Sequence, residues 1–115
     1  MPRILLVDDD STMVGLLKIL LTMEGYQVAT LMDKPGDILE NIRLAKPDIL
    51  LIDIFLGDQN GLDIVRQVRQ IPGMRRIKIV MVSGTDKVDE CRAAGADAFL
   101  LKPYMPNDLF DILRS

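Results

Sequence analysis

Five side chains in this sequence could do chemistry together: the carboxylates of Asp8, Asp9 and Asp53, the hydroxyl of Ser83 and the ammonium of Lys102. Each group stands at the end of a short apolar run, and runs without alternation read as strands buried on both faces of a parallel sheet. The carboxyl ends of such strands form the edge where an open parallel sheet binds ligands, so all five should gather there. Singly they have ordinary readings. Asp53, followed by Gly57, Asn60 and Gly61, could cap a loop; the acidic run at 8–10 could be charge at a helix amino end; Ser83 could be a cap and Lys102 a surface lysine. The coincidence of four strand ends at one edge outweighs them.

Carboxylates brought together repel, each close pair by ~4 kcal/mol at about 4 Å and an effective dielectric near 20, so the cluster needs a cation. Lys102 supplies one charge. The chain has no histidine, and carboxylate and carbonyl oxygens favour Mg²⁺, with Mn²⁺ as a substitute, over zinc. A ligand set of a few carboxylates plus waters suits Mg²⁺ on a phosphoryl oxygen. The expected chemistry is that of phosphate.

The elements that must position these groups follow in order. Residues 4–7 form a strand, and Asp10 or Ser11 caps a helix with Met13, Leu17 and Leu20 at helical spacing, ended by Gly25. A strand over 27–32, a Lys34-Pro35-Gly36 turn and a helix over roughly 36–44 come next, stopped by Lys46-Pro47. The Asp53 strand precedes a helix with Leu62, Val65 and Val68 on one face and Arg66 and Arg69 turned to solvent, broken by Pro72-Gly73. Residues 77–82 and 98–101 are the last strands. Between them lies a short helix over 87–94 stopped by Gly95, and Pro106 opens a final helix with Leu109, Ile112 and Leu113 inward. Alternating strands and helices joined by short turns predict a five-unit α/β fold, a parallel sheet with helices on both faces.

At 115 residues, 49% hydrophobic and 27% charged, the chain fits one domain over 1–115. Its net charge of −3 argues against a dedicated nucleic-acid or anionic-membrane surface. The single cysteine, Cys91, cannot pair within the chain and reads as a small buried hydrophobe in a reducing compartment. No signal peptide or membrane span is expected, and the setting is read as cytoplasmic.

The residues reach a resemblance. Leu5-Leu6-Val7-Asp8-Asp9, Leu50-Leu51-Ile52-Asp53 followed by Gly61, Met81-Val82-Ser83-Gly84 and Phe99-Leu100-Leu101-Lys102-Pro103-Tyr104 resemble, over the whole chain, the receiver domain of two-component response regulators, the chemotaxis-regulator type included. The resemblance implies a flavodoxin-like (βα)5 doubly wound sheet; its strand order, 2-1-3-4-5, comes with the family rather than from the residues. It implies Asp53 as phosphoacceptor, Mg²⁺ held by Asp8, Asp9, Asp53 and the Phe55 backbone carbonyl, and Lys102 paired with the phosphoryl group. Ser83 would be the switch hydroxyl, Phe99 the aromatic that reports the switch, and Lys102–Pro103 a cis bond. The phosphoryl donor would be a sensor histidine kinase or a histidine phosphotransfer protein. The output partner or effector domain is left open, as is any continuation of the gene past Ser115.

This sequence departs from the family in three places. Gly57 stands where many receivers have proline, which predicts a looser loop after Asp53. Ser83 and Lys102 are 19 positions apart, fewer than in the chemotaxis type, with the shortage in the fourth helix. Phe55 and Thr85 stand where some receivers carry polar residues that assist hydrolysis, so slow autodephosphorylation is expected. A rival lies in Asp8-Asp9-Asp10-Ser11-Thr12, which resembles the Asp-x-Asp-x-Thr motif of haloacid-dehalogenase-type phosphatases with Asp8 as nucleophile. It leaves Asp53 without a role and lacks a late acidic pair. A pseudo-receiver that binds partners without phosphorylation is the third reading.

Overall fold

In the computed structural model, which describes residues 2–31 and 36–115, the unbroken apolar runs become the sheet. Strands β1 (Arg3–Val7), β2 (Gln27–Thr30), β3 (Ile49–Asp53), β6 (Lys78–Ser83) and β7 (Ala98–Leu101) are all parallel and lie in the order β2-β1-β3-β6-β7. Setting aside the two-residue strands β4 (Phe55–Leu56) and β5 (Gln59–Asn60), this is the expected 2-1-3-4-5. All of β3 is buried, which is why its sequence does not alternate.

Helices cover both faces and make two cores. Leu5, Val7, Leu50, Ile52, Ile79 and Met81 face α2 (Ile38–Ala45), α3 (Gly61–Gln70) and α4 (Val88–Ala94). Ile4, Leu6, Leu51, Val80 and Val82 face α1 (Ser11–Met23) and α5 (Pro106–Arg114). Each fully buried aliphatic side chain contributes ~1.5–3 kcal/mol, so these two layers hold the strand ends in place. Cys91 is 1% exposed and unpaired, the buried hydrophobe expected. Among the described residues no helix is long and apolar enough to cross a membrane.

Local chemistry sets the helix ends. Asp10, not Ser11, caps α1, accepting the Met13 N–H at 3.1 Å, and the buried face of α1 is Leu17 and Leu21 with Leu20 only half-buried. Asp37 caps α2. Its start is thus two residues later than expected, while Met32 and the Lys34-Pro35 part of the turn lie outside the described residues. Asn60 caps α3, Gly95 ends α4 with φ +114, and Pro106 occupies the first turn of α5.

Two expectations are corrected. The stretch after Asp53 is not an open loop: it folds back as the β4–β5 hairpin, pairing Phe55 with Asn60 and Leu56 with Gln59. Gly57, at φ +64, is the first of two loop residues, where the mirror-image turns that match strand twist demand glycine. Arg69 is not a solvated side chain either. Arg66 is, pairing with Asp63 at 2.7 Å, but the Arg69 side chain is only 19% exposed and turns under the α4–β7 loop.

Candidate functional site

Strand register decides which polar groups meet. Val7 lies beside Ile52, so Asp8 and Asp53 leave neighbouring strands together. Lys102 follows β7, two strands away; its backbone N–H donates to the Ser83 carbonyl at 2.8 Å. From there its ammonium donates to Asp53 Oδ2 at 2.6 Å and to Asp8 Oδ2 at 3.0 Å. The second oxygen of each carboxylate is also engaged: Asp8 Oδ1 accepts the Asp10 N–H and Asp53 Oδ1 accepts the Phe55 N–H, both at 3.0 Å. The residues are 8% and 6% exposed. Such pairs are partly desolvated, and removing one member strands the others.

Burial alone would lower the proton affinity of Lys102. The hydrogen bonds and charges of Asp53 and Asp8 together outweigh it and raise the lysine above its ordinary value, keeping it cationic. Half-buried Tyr104 feels the same field: burial, then the nearby Asp8 and Asp53 charges, push its phenol up to about 12 against the opposing pull of Lys102. The Lys102–Pro103 peptide is cis, as the resemblance implied.

The other sequence-derived residues stand around this trio. Asp9 is exposed and lines, with Asp8, Ser11, Val14, Gly15, Lys18 and Thr30, a groove of about 400 Å³ along α1. Exposed beside buried Asp8, Asp9 is at the rim, and among the described residues no three His, Cys, Asp or Glu converge as a metal-binding group. Ser83 is fully buried; its Oγ accepts the Thr85 N–H at 3.1 Å and lies 3.3 Å from Thr85 Oγ1. Phe55 is 57% exposed. Phe99 is half-buried on β7 and lines a separate pocket of about 270 Å³ beside α4.

Gly61, which the sequence offers as a turn residue, is the first residue of α3 and has a steric role there. A Cβ there would sit 2.2 Å from the Asp53 carbonyl oxygen. The available hint was a glycine directly after a capping asparagine, a position where any residue is normally tolerated.

Two buried carboxylates against one half-buried ammonium leave the trio with a net negative charge, and Asp9 adds to it at the rim. Each engaged oxygen keeps lone-pair capacity beyond its one hydrogen bond. Oxygen-only donors with residual negative charge fit a hard divalent cation such as Mg²⁺.

A doubly wound α/β sheet with an acid pair and a lysine at its carboxyl edge defines the class: a domain that handles phosphate at strand ends. Within that class the chain belongs to the response regulator receiver domain family, whose model matches residues 4–114. It is 36% identical over 116 residues to the DNA-binding response regulator MtrA of Mycolicibacterium paratuberculosis, covering 98% of this chain and 50% of MtrA. The chemotaxis protein CheY of Thermotoga maritima is 32% identical over 113 residues, 97% of this chain and 94% of CheY. A receiver domain of the sensor histidine kinase PA1611 from Pseudomonas aeruginosa, solved with a magnesium ion in its active site cleft, matches with a TM-score of 0.81 at 27% identity, over 98% of this chain and 94% of that one. The chain thus spans about half the length of its MtrA relatives. It is a phosphoryl-accepting receiver of two-component signalling.

Proposed function

We propose that Asp53 is the phosphoryl acceptor and that residues 1–115 act as one receiver domain, taking the group from a phosphohistidine of a sensor histidine kinase or histidine phosphotransfer protein. A carboxylate oxygen of Asp53 attacks phosphorus in line, the phosphorus–nitrogen bond breaks, and its electron pair leaves with the imidazole. Such a transfer needs mainly positioning and charge neutralisation. The observation that carries the reading is the single ammonium of Lys102 shared by Asp8 and Asp53. On phosphorylation that ammonium would follow the charge from Asp53 onto a phosphoryl oxygen while Asp8 keeps its end.

Mg²⁺, with Mn²⁺ as a substitute, would be held by Asp8, Asp9, Asp53 and the Phe55 carbonyl, and would neutralise charge on the phosphoryl oxygens. Ser83 is the switch hydroxyl: on phosphorylation it exchanges Thr85 for a phosphoryl oxygen. Phe99 then turns inward and repacks the surface of α4, β7 and α5, a local bond biasing a two-state element. An output partner or effector reads that surface, in a cytoplasmic setting. The phosphatase reading with Asp8 as nucleophile leaves Asp53 idle, although Asp53 makes the shorter of the two lysine contacts.

Incubation with acetyl phosphate and Mg²⁺, followed by intact-mass measurement, tests the proposal. One phosphoryl group should be gained, and neither a chelated sample nor Asp53→Ala should gain it. Full labelling of Asp53→Ala, or labelling indifferent to chelator, would overturn it.

A further inference from the structure

At the amino edge of the sheet, opposite Asp53, one guanidinium joins four segments. Arg69 Nε donates to the Gly95 carbonyl at 2.9 Å, Nη1 to the Arg75 and Ile77 carbonyls at 2.9 and 2.8 Å, and Nη2 to Asp97 Oδ2 at 2.9 Å. Asp97 Oδ2 in turn accepts the Ile79 N–H at 2.8 Å, and the Asp97 N–H donates to the Ile79 carbonyl at 2.8 Å. The rigid fork of arginine suits so many acceptors at once. Its stem packs on Gly95, where a Cβ would stand 2.7 Å from Arg69 Cγ. The end of α3, the loop into β6, the end of α4 and the start of β7 are therefore fastened at one point.

The two ends of α4 differ sharply. Its carboxyl end is held by Arg69, by the Gly95 N–H on the Cys91 and Arg92 carbonyls, by the Ala96 N–H on the Cys91 carbonyl, and by buried Ala94. Its amino end starts at Lys87, which makes no side-chain cap. There the Lys87 carbonyl accepts the Cys91 N–H at 2.9 Å, and the side-chain supports are an exposed Asp86 contact to the Val88 N–H at 3.2 Å and an exposed Lys87–Glu90 pair at 3.5 Å. This loose end is the one joined to Ser83, and the pocket lined by Val88, Cys91, Ala96 and Phe99 lies beside the helix.

We infer that Arg69 is a positioning residue that fixes the carboxyl end of α4, so that the switch swings α4 about Gly95 instead of sliding it. The switch itself rests on the phosphoryl-acceptor reading of Asp53; the pivot rests on the Arg69 contacts. A pull at Ser83 displaces residues 84–91 and is arrested before 95. The surface that partners read is thereby a hinged one, opening at the Val88 side of the Phe99 pocket while β7 keeps its register.

Hydrogen exchange by mass spectrometry on the whole chain, with and without acetyl phosphate and Mg²⁺, tests the pivot. In the unmodified protein the amides of residues 95–97 should exchange about tenfold more slowly than those of 88–90. Arg69→Met should accelerate 95–97 by about tenfold while 88–90 stay within about twofold. Phosphorylation of the native chain should change exchange across 84–91 and leave 94–98 nearly still; in Arg69→Met the change should spread through 98. Because Arg69 is remote from Asp53, the mass-gain rate should be the same in both proteins. Asp97→Asn, which keeps an acceptor oxygen for both partners, covers the case in which Arg69→Met does not fold, with a smaller acceleration confined to 95–97. Uniform acceleration along the whole chain, or equal phosphorylation-induced changes at 84–91 and 94–98 in the native chain, would overturn the pivot. Absence of any mass gain would instead overturn the acceptor role of Asp53, and the local acceleration at 95–97 in unmodified Arg69→Met would still decide the pivot.

Discussion

Replacing Gly61 by alanine tests whether the start of α3 is what fixes the end of β3. The new Cβ would lie 2.2 Å from the Asp53 carbonyl oxygen and 3.1 Å from both Asp53 C and Ile54 Cα. The φ of Gly61 is not positive, so the effect is steric alone. Non-bonded carbons settle near ~3.5–4.0 Å, so the first turn of α3 and the end of β3 must part by about 1 Å, and Asp53 moves with the strand end. That motion breaks the Gly61 N–H bond to the Ile54 carbonyl, now 2.7 Å. Overpacking costs ~1–3 kcal/mol and an unpaired amide ~1–3 more, about 2–6 kcal/mol together. For a domain of this size the melting temperature should fall by about 10–20 °C. Displacing Asp53 by about 1 Å should also slow labelling by acetyl phosphate on the order of a hundredfold. Thermal melts by circular dichroism and initial mass-gain rates read both effects. Gly57→Ala is the control: φ is +64 with no atom within 4 Å of its Cβ, so it should cost only ~1–2 kcal/mol of backbone strain and leave the rate alone. A Gly61→Ala protein melting within about 3 °C of the native one and labelling normally would refute the reasoning.

Further outcomes follow from the same contacts. Phosphorylated protein should decay faster in a Phe55→Asn, Thr85→Glu double variant, because polar side chains at these two positions can orient the attacking water; unchanged or slower decay would show that they do not gate it. The Cys91 thiol is pushed up to about 11 by burial and then by Glu90, so iodoacetamide at pH 8 should label the folded chain at least about a hundredfold more slowly than the chain in urea. Because that value is raised, its contribution to stability is complete below the unfolded thiol value near 9 and is lost as pH rises through about 11; equal labelling rates in the two states would remove the basis for this. Gly15 sits within α1 with no atom within 4 Å of an added Cβ, so Gly15→Ala should stabilise by ~0.5–1 kcal/mol, seen as a later urea midpoint at unchanged slope.

The sheet was legible because its strands are short apolar runs that end abruptly in Asp8, Asp53, Ser83 and Lys102, a pattern that no amphipathic helix shares. Those same endings made the acid pair and its lysine legible before any distance was known. Arg69 was not, because periodicity assigns it to the outer face of α3; what turns it inward is a cluster of carbonyls from segments far away in sequence, and Gly95 gives it room. The β4–β5 hairpin escaped for a different reason. Its strands are two residues each, too short for alternation to register, and only the positive φ of Gly57 betrays the turn. Leu21 lies one helical turn after Leu17, and with that i, i+4 pair facing the sheet Leu20 is left at the edge of the buried face of α1. The rim position of Asp9 follows from its place after Asp8, where the chain already turns toward the Asp10 cap.

The central claim is that Asp53, and not Asp8, takes the phosphoryl group while Lys102 holds both. Trapping the labelled chain by borohydride reduction and mapping the converted residue by tandem mass spectrometry tests it most directly. Conversion is expected at Asp53 alone, dependent on Mg²⁺ and strongly slowed in Lys102→Met. Conversion at Asp8 would contradict it.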